Sequence, residues 1–459
     1  MSRMRNGLLG LSALVVVGVV AVAAVALHKP EPQISDALAQ RKPDVTRGAY
    51  VAVLGDCVAC HTSKDGKPFA GGVPFETPVG TVYSSNITPD KDTGIGTYTF
   101  PDFVRLMRFG VTPSGGRVYP AMPYTAYAKV SDEDLQDLFA YMQHGVTAEN
   151  APSRKDGMTW PLSMRWPLAL WNIAFHDDSR FVPDVPKDTA WNRGAYLVQG
   201  LTHCGTCHTP RGIALQEKDV NGTSNLFLSG SVLDGSSPIN LRGNIGDGLG
   251  RWSVGDIAEV LKTGVNIHSA IAGPMAEVVE HSTQYMSDDD VKAVAIYLKT
   301  LPPAPDEGRA TFAASDATIK TVLAGKETSP GGRMFMDSCA ACHRESGKGE
   351  TLAFPKLAGN PSVLSADPSS LIAIILNGAR LPSTAGAPTG LAMPPFGWRY
   401  GDADVAQLAS FVRASWGNGA SAVTADEVSK VRARVEPSRA KAQPLAASTD
   451  RVTAGAGSR

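Results

Sequence analysis

The chain has 459 residues and a formal net charge of −1, with 43 lysines and arginines against 44 aspartates and glutamates. That balance gives no basic face for nucleic acid, and the length allows roughly three domains of ordinary size. With 46 glycines and 32 prolines, the composition predicts short helices joined by long ordered loops and excludes a compact helical bundle.

At the N-terminus, Arg3 and Arg5 precede an uncharged apolar run from Leu8 to Leu27. Two arginines ahead of such a run send the following chain across a membrane. A run of about 20 apolar residues is long for a secretory signal core and fits a spanning helix, so residues 1–34 are expected to form a retained anchor. Ala24-Val25-Ala26 offers a small-residue cleavage site as the alternative. Both place the rest of the chain on the periplasmic side of the inner membrane.

A five-residue motif then occurs three times, as Cys57-Val-Ala-Cys60-His61, Cys204-Gly-Thr-Cys207-His208 and Cys339-Ala-Ala-Cys342-His343. This is the attachment site of a c-type haem, in which both thiols add to the porphyrin vinyls and the histidine ligates the iron. The three copies use all six cysteines. A structural zinc would require four ligands, and each copy supplies three. Three covalently bound haem c groups are expected, on Cys57, Cys60 and His61, on Cys204, Cys207 and His208, and on Cys339, Cys342 and His343.

These motifs belong to a longer repeat. Arg47-Gly48-Ala49-Tyr50, Arg193-Gly194-Ala195-Tyr196 and Gly332-Arg333-Met334-Phe335 each predict an N-terminal helix whose small and aromatic residues pack on a later helix. The later helices open at Ser131-Asp-Glu-Asp134, Ser287-Asp-Asp-Asp290 and Gly401-Asp-Ala-Asp404, the first two resembling a capping box. Their apolar stripes, such as Leu135, Leu138 and Tyr141, are structural. Gly94 to Asp102 and Gly248 to Asp256 align without a gap, which makes the first two repeats closer to each other than to the third.

The pattern predicts an all-α fold of three tandem cytochrome-c-like domains after an N-terminal apolar helix. Their bounds are 35–150, 188–302 and 329–418, with linkers at 151–187 and 303–328 and a disordered polar tail at 419–459. In the first linker Trp160, Trp166 and Trp171 stand among prolines; packing between domains is the expectation, with a membrane or partner patch as the alternative.

The second axial ligand decides whether a haem iron carries electrons or performs chemistry. Each repeat is expected to place a methionine in a proline-bounded loop just ahead of its last helix: Met122 in Tyr-Pro-Ala-Met-Pro-Tyr, Met275 in Ala-Gly-Pro-Met-Ala-Glu, Met393 in Leu-Ala-Met-Pro-Pro-Phe. The iron ligands are therefore expected to be His61 with Met122, His208 with Met275, and His343 with Met393. Met107, Met142 and Met286 lie in or beside helical patterns and are expected as core. His28, His144, His176, His203, His268 and His281 recur at no equivalent positions and are expected to be ordinary surface or core residues. Pro355 is placed to accept a hydrogen bond from the second ring nitrogen of His343, with no clear counterpart elsewhere.

Ser85-Asn86-Ile87-Thr88-Pro89-Asp90, Tyr119-Pro120-Ala121-Met122-Pro123-Tyr124, Trp160-Pro161-Leu162 with Arg165-Trp166-Pro167, and Gly273-Pro274-Met275-Ala276-Glu277 together resemble one family. It is the triple-haem cytochrome c subunit of bacterial membrane-bound dehydrogenases, and the resemblance runs from about Asp44 to Trp416. It implies a separate catalytic subunit of flavin, pyrroloquinoline quinone or molybdenum type, no substrate chemistry on this chain, and delivery of electrons to ubiquinone or a terminal oxidase. Family members usually carry a cleaved signal. Two other classes remain in view: a subunit of a respiratory oxidase, and a haem peroxidase, which would need a repeat lacking its methionine.

Overall fold

The computed structural model describes residues 15–18, 20, 22–77, 80–233, 235–305 and 308–441. The chain is mostly helical, with three small two-stranded antiparallel sheets among the described residues. In chain order the helices that organise it are α1 (Val45–Leu54), α2 (Cys57–His61), α3 (Phe100–Phe109) and α4 (Asp132–His144). Then come α5 (Leu168–Phe175), α6 (Thr189–Tyr196), α7 (Gly205–His208), α8 (Val254–Thr263), α9 (Pro274–His281) and α10 (Asp288–Thr300). The last part holds α11 (Pro330–Ser338), α12 (Ala340–His343), α13 (Ser369–Asn377), α14 (Asp402–Ala414) and α15 (Ala425–Lys441). The strands are β1 (Pro74–Thr77), β2 (Gly80–Tyr83), β3 (Thr311–Phe312), β4 (Ala379–Arg380), β5 (Ala392–Met393) and β6 (Asn418–Gly419).

One packing event occurs three times. The helix before each cysteine motif crosses the last helix of its repeat backbone to backbone, so α1 meets α4, α6 meets α10 and α11 meets α14. A glycine sits at each crossing. A Cβ on Gly48 would lie 1.9 Å from the carbonyl oxygen of Asp137, one on Gly194 2.0 Å from that of Ala293, and one on Gly331 2.3 Å from that of Gln407. An aromatic ring four residues further on, Tyr141, Tyr297 or Phe411, closes the contact. In the third repeat the crossing glycine is Gly331, immediately ahead of the Gly332-to-Phe335 motif.

The tyrosines of the Arg-Gly-Ala-Tyr motifs do not stay within their own repeats. Tyr50 donates to Asp290 at 2.8 Å and accepts from the backbone N–H of Ser287 at 2.9 Å, at the start of α10. Tyr196 donates to Asp134 and accepts from the N–H of Ser131 at 3.2 Å, at the start of α4. Each of the first two repeats therefore caps the other's last helix. The arginines stay at home, Arg47 on Asp134 and Asp137, Arg193 on Asp290 at 2.7 Å. Burial alone would raise the carboxyl of Asp290; the bonds from Arg193 and Tyr50 outweigh it and hold it ionised below its usual range. Ser131 and Ser287 keep the forward half of a capping box, accepting from Asp134 and Asp290, while those aspartates turn to arginine and tyrosine. Complete boxes form at Thr99–Asp102 and Ser253–Asp256, in the segments that align without a gap, and at Thr424–Glu427.

Repeats one and two share one apolar core, and the third has its own. The second and third meet through polar contacts, among them Ser237 with Ser370 at 2.7 Å and Glu280 with the N–H of Ser383 at 2.8 Å.

One expectation changes. The tail is ordered well past Gly417: β6 pairs with β3, and α15 inserts Val428 and Val431 into the third core while Arg432 bonds Asp402 at 2.6 Å. Residues 442–459 lie outside the described residues, as do residues 1–14 of the expected anchor. Positions 15–18, 20 and 22–27 are helical. Among the described residues no helix is long and apolar enough to cross a membrane.

Replacing Gly48 or Gly194 with alanine is expected to lower the unfolding free energy of the haem-loaded chain by about 1–3 kcal/mol, since backbone must move to admit the methyl. Gly255, whose Cβ would meet nothing closer than 3.5 Å, is the control. Gly255→Ala should be neutral or stabilising by about 0.5–1 kcal/mol in the same denaturant titration.

Candidate haem sites

Each cysteine motif forms one short helical turn, α2, α7 or α12, directed by the helix before it. In the first two repeats the chain enters that turn through a non-glycine residue at positive φ, Asp56 at 48° and His203 at 38°. The second repeat has one residue more between its crossing glycine and its first cysteine than the first repeat has. A π-helical turn over Leu197–Leu201 absorbs it, as such turns absorb single insertions.

The three motif histidines have the same environment. The Nδ1 of His61 is 2.7 Å from the carbonyl oxygen of Ser85, that of His208 2.8 Å from Ile239 O, and that of His343 2.8 Å from Pro355 O. A carbonyl only accepts, so Nδ1 carries the proton and Nε2 presents its lone pair. Burial pushes all three imidazoles below the ordinary histidine pKa, against the carbonyl bond that raises it, which keeps them neutral at neutral pH. A neutral, oriented imidazole with one nitrogen available is what a metal requires.

A second bond fixes the same turns. The main-chain carbonyl of each histidine accepts from a glycine N–H: Gly71 to His61 at 2.7 Å, Gly230 to His208 at 2.8 Å, Gly349 to His343 at 2.9 Å. All three glycines have positive φ, and a Cβ on Gly349 would meet Phe354 O at 2.1 Å. Pro355 thus has the role expected of it, and Ser85 and Ile239 are the counterparts that sequence reasoning missed. The intervals from histidine to acceptor differ in every repeat, so no common spacing betrays them.

Burial holds Cys57, Cys60 and Cys339 as neutral thiols, pushed up to about 12. Cys204 is raised for the same reason, and Cys207 and Cys342 are exposed. The donor set, two thiols one turn from a neutral imidazole with Nδ1 occupied, fits covalent haem c in each repeat.

The methionines do not share one local structure. Met122 lies in a turn, its N–H bonded to Tyr119 O at 3.1 Å, and it packs against the shared core. Met275 is the second residue of α9, in a helix where a loop was expected, and Met393 is in β5 opposite Ala379. All three are half-buried. Met107, Met142 and Met286 are buried in the core, as expected.

Of the remaining histidines, His28, His144 and His281 are exposed. His176 faces Arg108 O at 2.7 Å, and His268 stacks on Trp252 beside Asp256. His203 is a contact between repeats, its Nε2 3.3 Å from Gly55 O and its ring edge-on to Tyr127. Asp56, at the equivalent position before Cys57, is 6 % exposed and one carboxylate oxygen has no partner. Burial first, and Glu277 of α9 second, push its carboxyl up to about 8.

A mostly helical chain with covalent haem turns of this construction is a c-type cytochrome. The cytochrome c family model matches residues 45–145 and 329–416. The chain is 48 % identical over 423 residues to the gluconate 2-dehydrogenase cytochrome c subunit of Pantoea cypripedii, covering 91 % of this chain and 93 % of that one. It is 45 % identical over 395 residues to the cytochrome c subunit of the quinone alcohol dehydrogenase of Gluconacetobacter polyoxogenes, covering 84 % of each. The fructose dehydrogenase cytochrome subunit of Gluconobacter japonicus is 36 % identical over 414 residues, 85 % of this chain and 83 % of that one. The chain belongs to this family of dehydrogenase cytochrome c subunits.

Asp56 gives a pH dependence of definite sign. Its folded pKa lies above the roughly 3.9 of an unfolded aspartate, so the stability it contributes is complete below about pH 4 and is lost as pH rises toward 8. Thermal unfolding of haem-loaded Asp56→Asn should match the parent near pH 4 and exceed it at pH 8, by on the order of a few kcal/mol. Equal pH profiles would show that the carboxyl is not held protonated.

Proposed function

We propose that the chain is the electron-transfer subunit of a dehydrogenase complex at the periplasmic face of the inner membrane, built as three tandem cytochrome-c-like domains with one covalent haem c each. The observation that carries this reading is the threefold recurrence, in one polypeptide, of a cysteine pair beside a histidine whose Nδ1 is tied to a main-chain carbonyl. The family-model match over 45–145 and 329–416 covers the first and third of these repeats. The middle one is supported by the same helix crossing and the same histidine environment.

Haem supplies reversible one-electron chemistry, and the protein fixes its position and polarity. Ser85, Ile239 and Pro355 orient the imidazoles through their carbonyls. Met122, Met275 and Met393 would supply soft thioethers as the remaining iron ligands, a ligand type that favours high-potential, closed irons suited to electron transfer. The second repeat touches both others, through Tyr50–Asp290 on one side and Glu280–Ser383 on the other. The middle repeat is therefore placed to link the outer two.

Electrons enter from a separate catalytic subunit of flavin, pyrroloquinoline quinone or molybdenum type and leave to ubiquinone or a terminal oxidase. The likeness to the gluconate 2-dehydrogenase subunit over most of both chains favours a partner that oxidises a sugar acid.

Mass spectrometry of the purified chain should show three covalent porphyrin adducts; fewer would remove the basis of the relay. Met122→Ala should lower one haem's midpoint potential by on the order of a hundred millivolts and create a carbon monoxide site. An unchanged potential with no carbon monoxide binding would place the ligand elsewhere.

A further inference from the structure

The segment that joins the first two repeats is built inside out. Its polar groups face inward and are satisfied on the first repeat. Asp156 accepts from the N–H of Tyr83 at 3.0 Å, and Arg165 bonds Asp156 with its guanidinium 3.8 Å from the centre of the Tyr119 ring. Tyr119 donates to Leu162 O at 2.5 Å, Tyr124 donates to Asn172 at 2.7 Å, and Asn172 donates to Phe109 O at 2.9 Å. Trp171 alone of the three linker tryptophans packs as expected, donating to Ala214 O at 2.9 Å.

The apolar side chains of the same segment face solvent. Trp160 is 79 % exposed and Ile173 70 %, and Leu162, Trp166, Leu170 and Phe175 are exposed beside them. Trp166, Leu170 and Ile173 follow the spacing of one face of α5 and its entry. From Gly157 to Phe175 the one charged residue is Arg165, which is turned inward. Monomeric soluble proteins rarely leave an ordered apolar face of this kind in water.

We propose that this strap, residues 160–175, is seated in the interface of a phospholipid bilayer and sets the orientation of the subunit on the membrane. Three observations select lipid over a protein partner. Trp166 lines one open apolar groove with Val15, Gly18, Val22, Ala23 and Ala26, so the strap is continuous with the apolar N-terminal segment. Val15, Val16, Val17 and Val20 are themselves more than half exposed, extending the same apolar surface. The face carries tryptophan and aliphatic side chains with no outward charge, the composition of a helix lying at the acyl boundary, where an indole is apolar in body and polar at one edge. Seated in this way, the strap places the Met122 turn directly behind the membrane contact, since Tyr119 and Tyr124 bond to its inner side.

This inference rests on the reading that the chain works at a membrane, and the experiment separates the two. The complex as purified from membranes is reconstituted into vesicles of phosphatidylethanolamine and phosphatidylglycerol containing a phospholipid with a diazirine in its acyl chain. After illumination, lipid adducts are mapped by peptide mass spectrometry. Peptides covering 160–175 should carry adducts at about tenfold the yield of the exposed loop at 64–68, as expected for side chains at the acyl boundary. Ile173→Asp, a change at an exposed position, should reduce that yield several-fold and leave the haem spectrum unchanged. Adducts confined to residues 1–27 or to other parts of the complex, with none on the strap peptides, would overturn the proposal and leave the membrane reading standing. No adducts anywhere would overturn both.

Discussion

The structure depends on two backbones being able to touch. Gly48, Gly194 and Gly331 bring the first helix of each repeat against a carbonyl of its last helix, at a separation no side chain permits. That crossing fixes where α1, α6 and α11 end, and so where each cysteine turn begins. Close packing tolerates little adjustment at such a point. When the interval changes by a residue, the chain adjusts between crossing and cysteine and leaves the crossing alone. The π-turn at Leu197–Leu201 is that adjustment in the second repeat.

The same helices join the first two repeats into one body. Tyr50 and Tyr196 exchange places, each reaching the N-terminal turn of the other's last helix, where an arginine already neutralises the aspartate. A buried carboxylate with one partner removed is costly, so neither repeat satisfies its own aspartate fully without the other. A single apolar core runs through both. The third repeat lacks the tyrosine exchange and is attached through hydroxyls, main-chain groups and Arg251, which bonds Gly359 O and lies 4.6 Å over the Phe312 ring. It makes up the difference from its own tail, since α15 covers α13 and α14 with Val428 and Val431.

What the sequence showed and hid follows from the range of each interaction. Cys-x-x-Cys-His is a local constraint, because a single helical turn sets both thiols and the imidazole, and it was legible three times over. The last helices were legible from their stripes and acidic first turns. The histidine acceptors Ser85 and Ile239 were not, because a carbonyl has no side-chain signature and their distance along the chain from the histidine differs in each repeat. The crossing glycine of the third repeat was not legible because Gly331 and Gly332 are adjacent and only the carbonyl of Gln407 distinguishes them. Lys430, Arg432 and Arg434 interleave the valines of α15 and gave it the composition of a polar tail. Trp160 and Trp166 were expected in a domain contact because tryptophan normally buries; the polar inner face of the strap, made by Asp156, Arg165 and Asn172, reverses that rule.

The repeats are alike where the histidine is held and unlike where the methionine is held. Each imidazole has a carbonyl on Nδ1 and a glycine N–H on its own carbonyl, with distances that agree within 0.1 Å for the first bond. The methionines proposed opposite them come from a turn, the start of a helix and a two-residue strand. Each sulphur is therefore carried by a different local backbone, and the surroundings of a thioether ligand are among the things that adjust a haem's potential. A relay of one-electron carriers gains direction from differences between its sites. In this chain the constant side of each site secures attachment, and the variable side is where such differences arise.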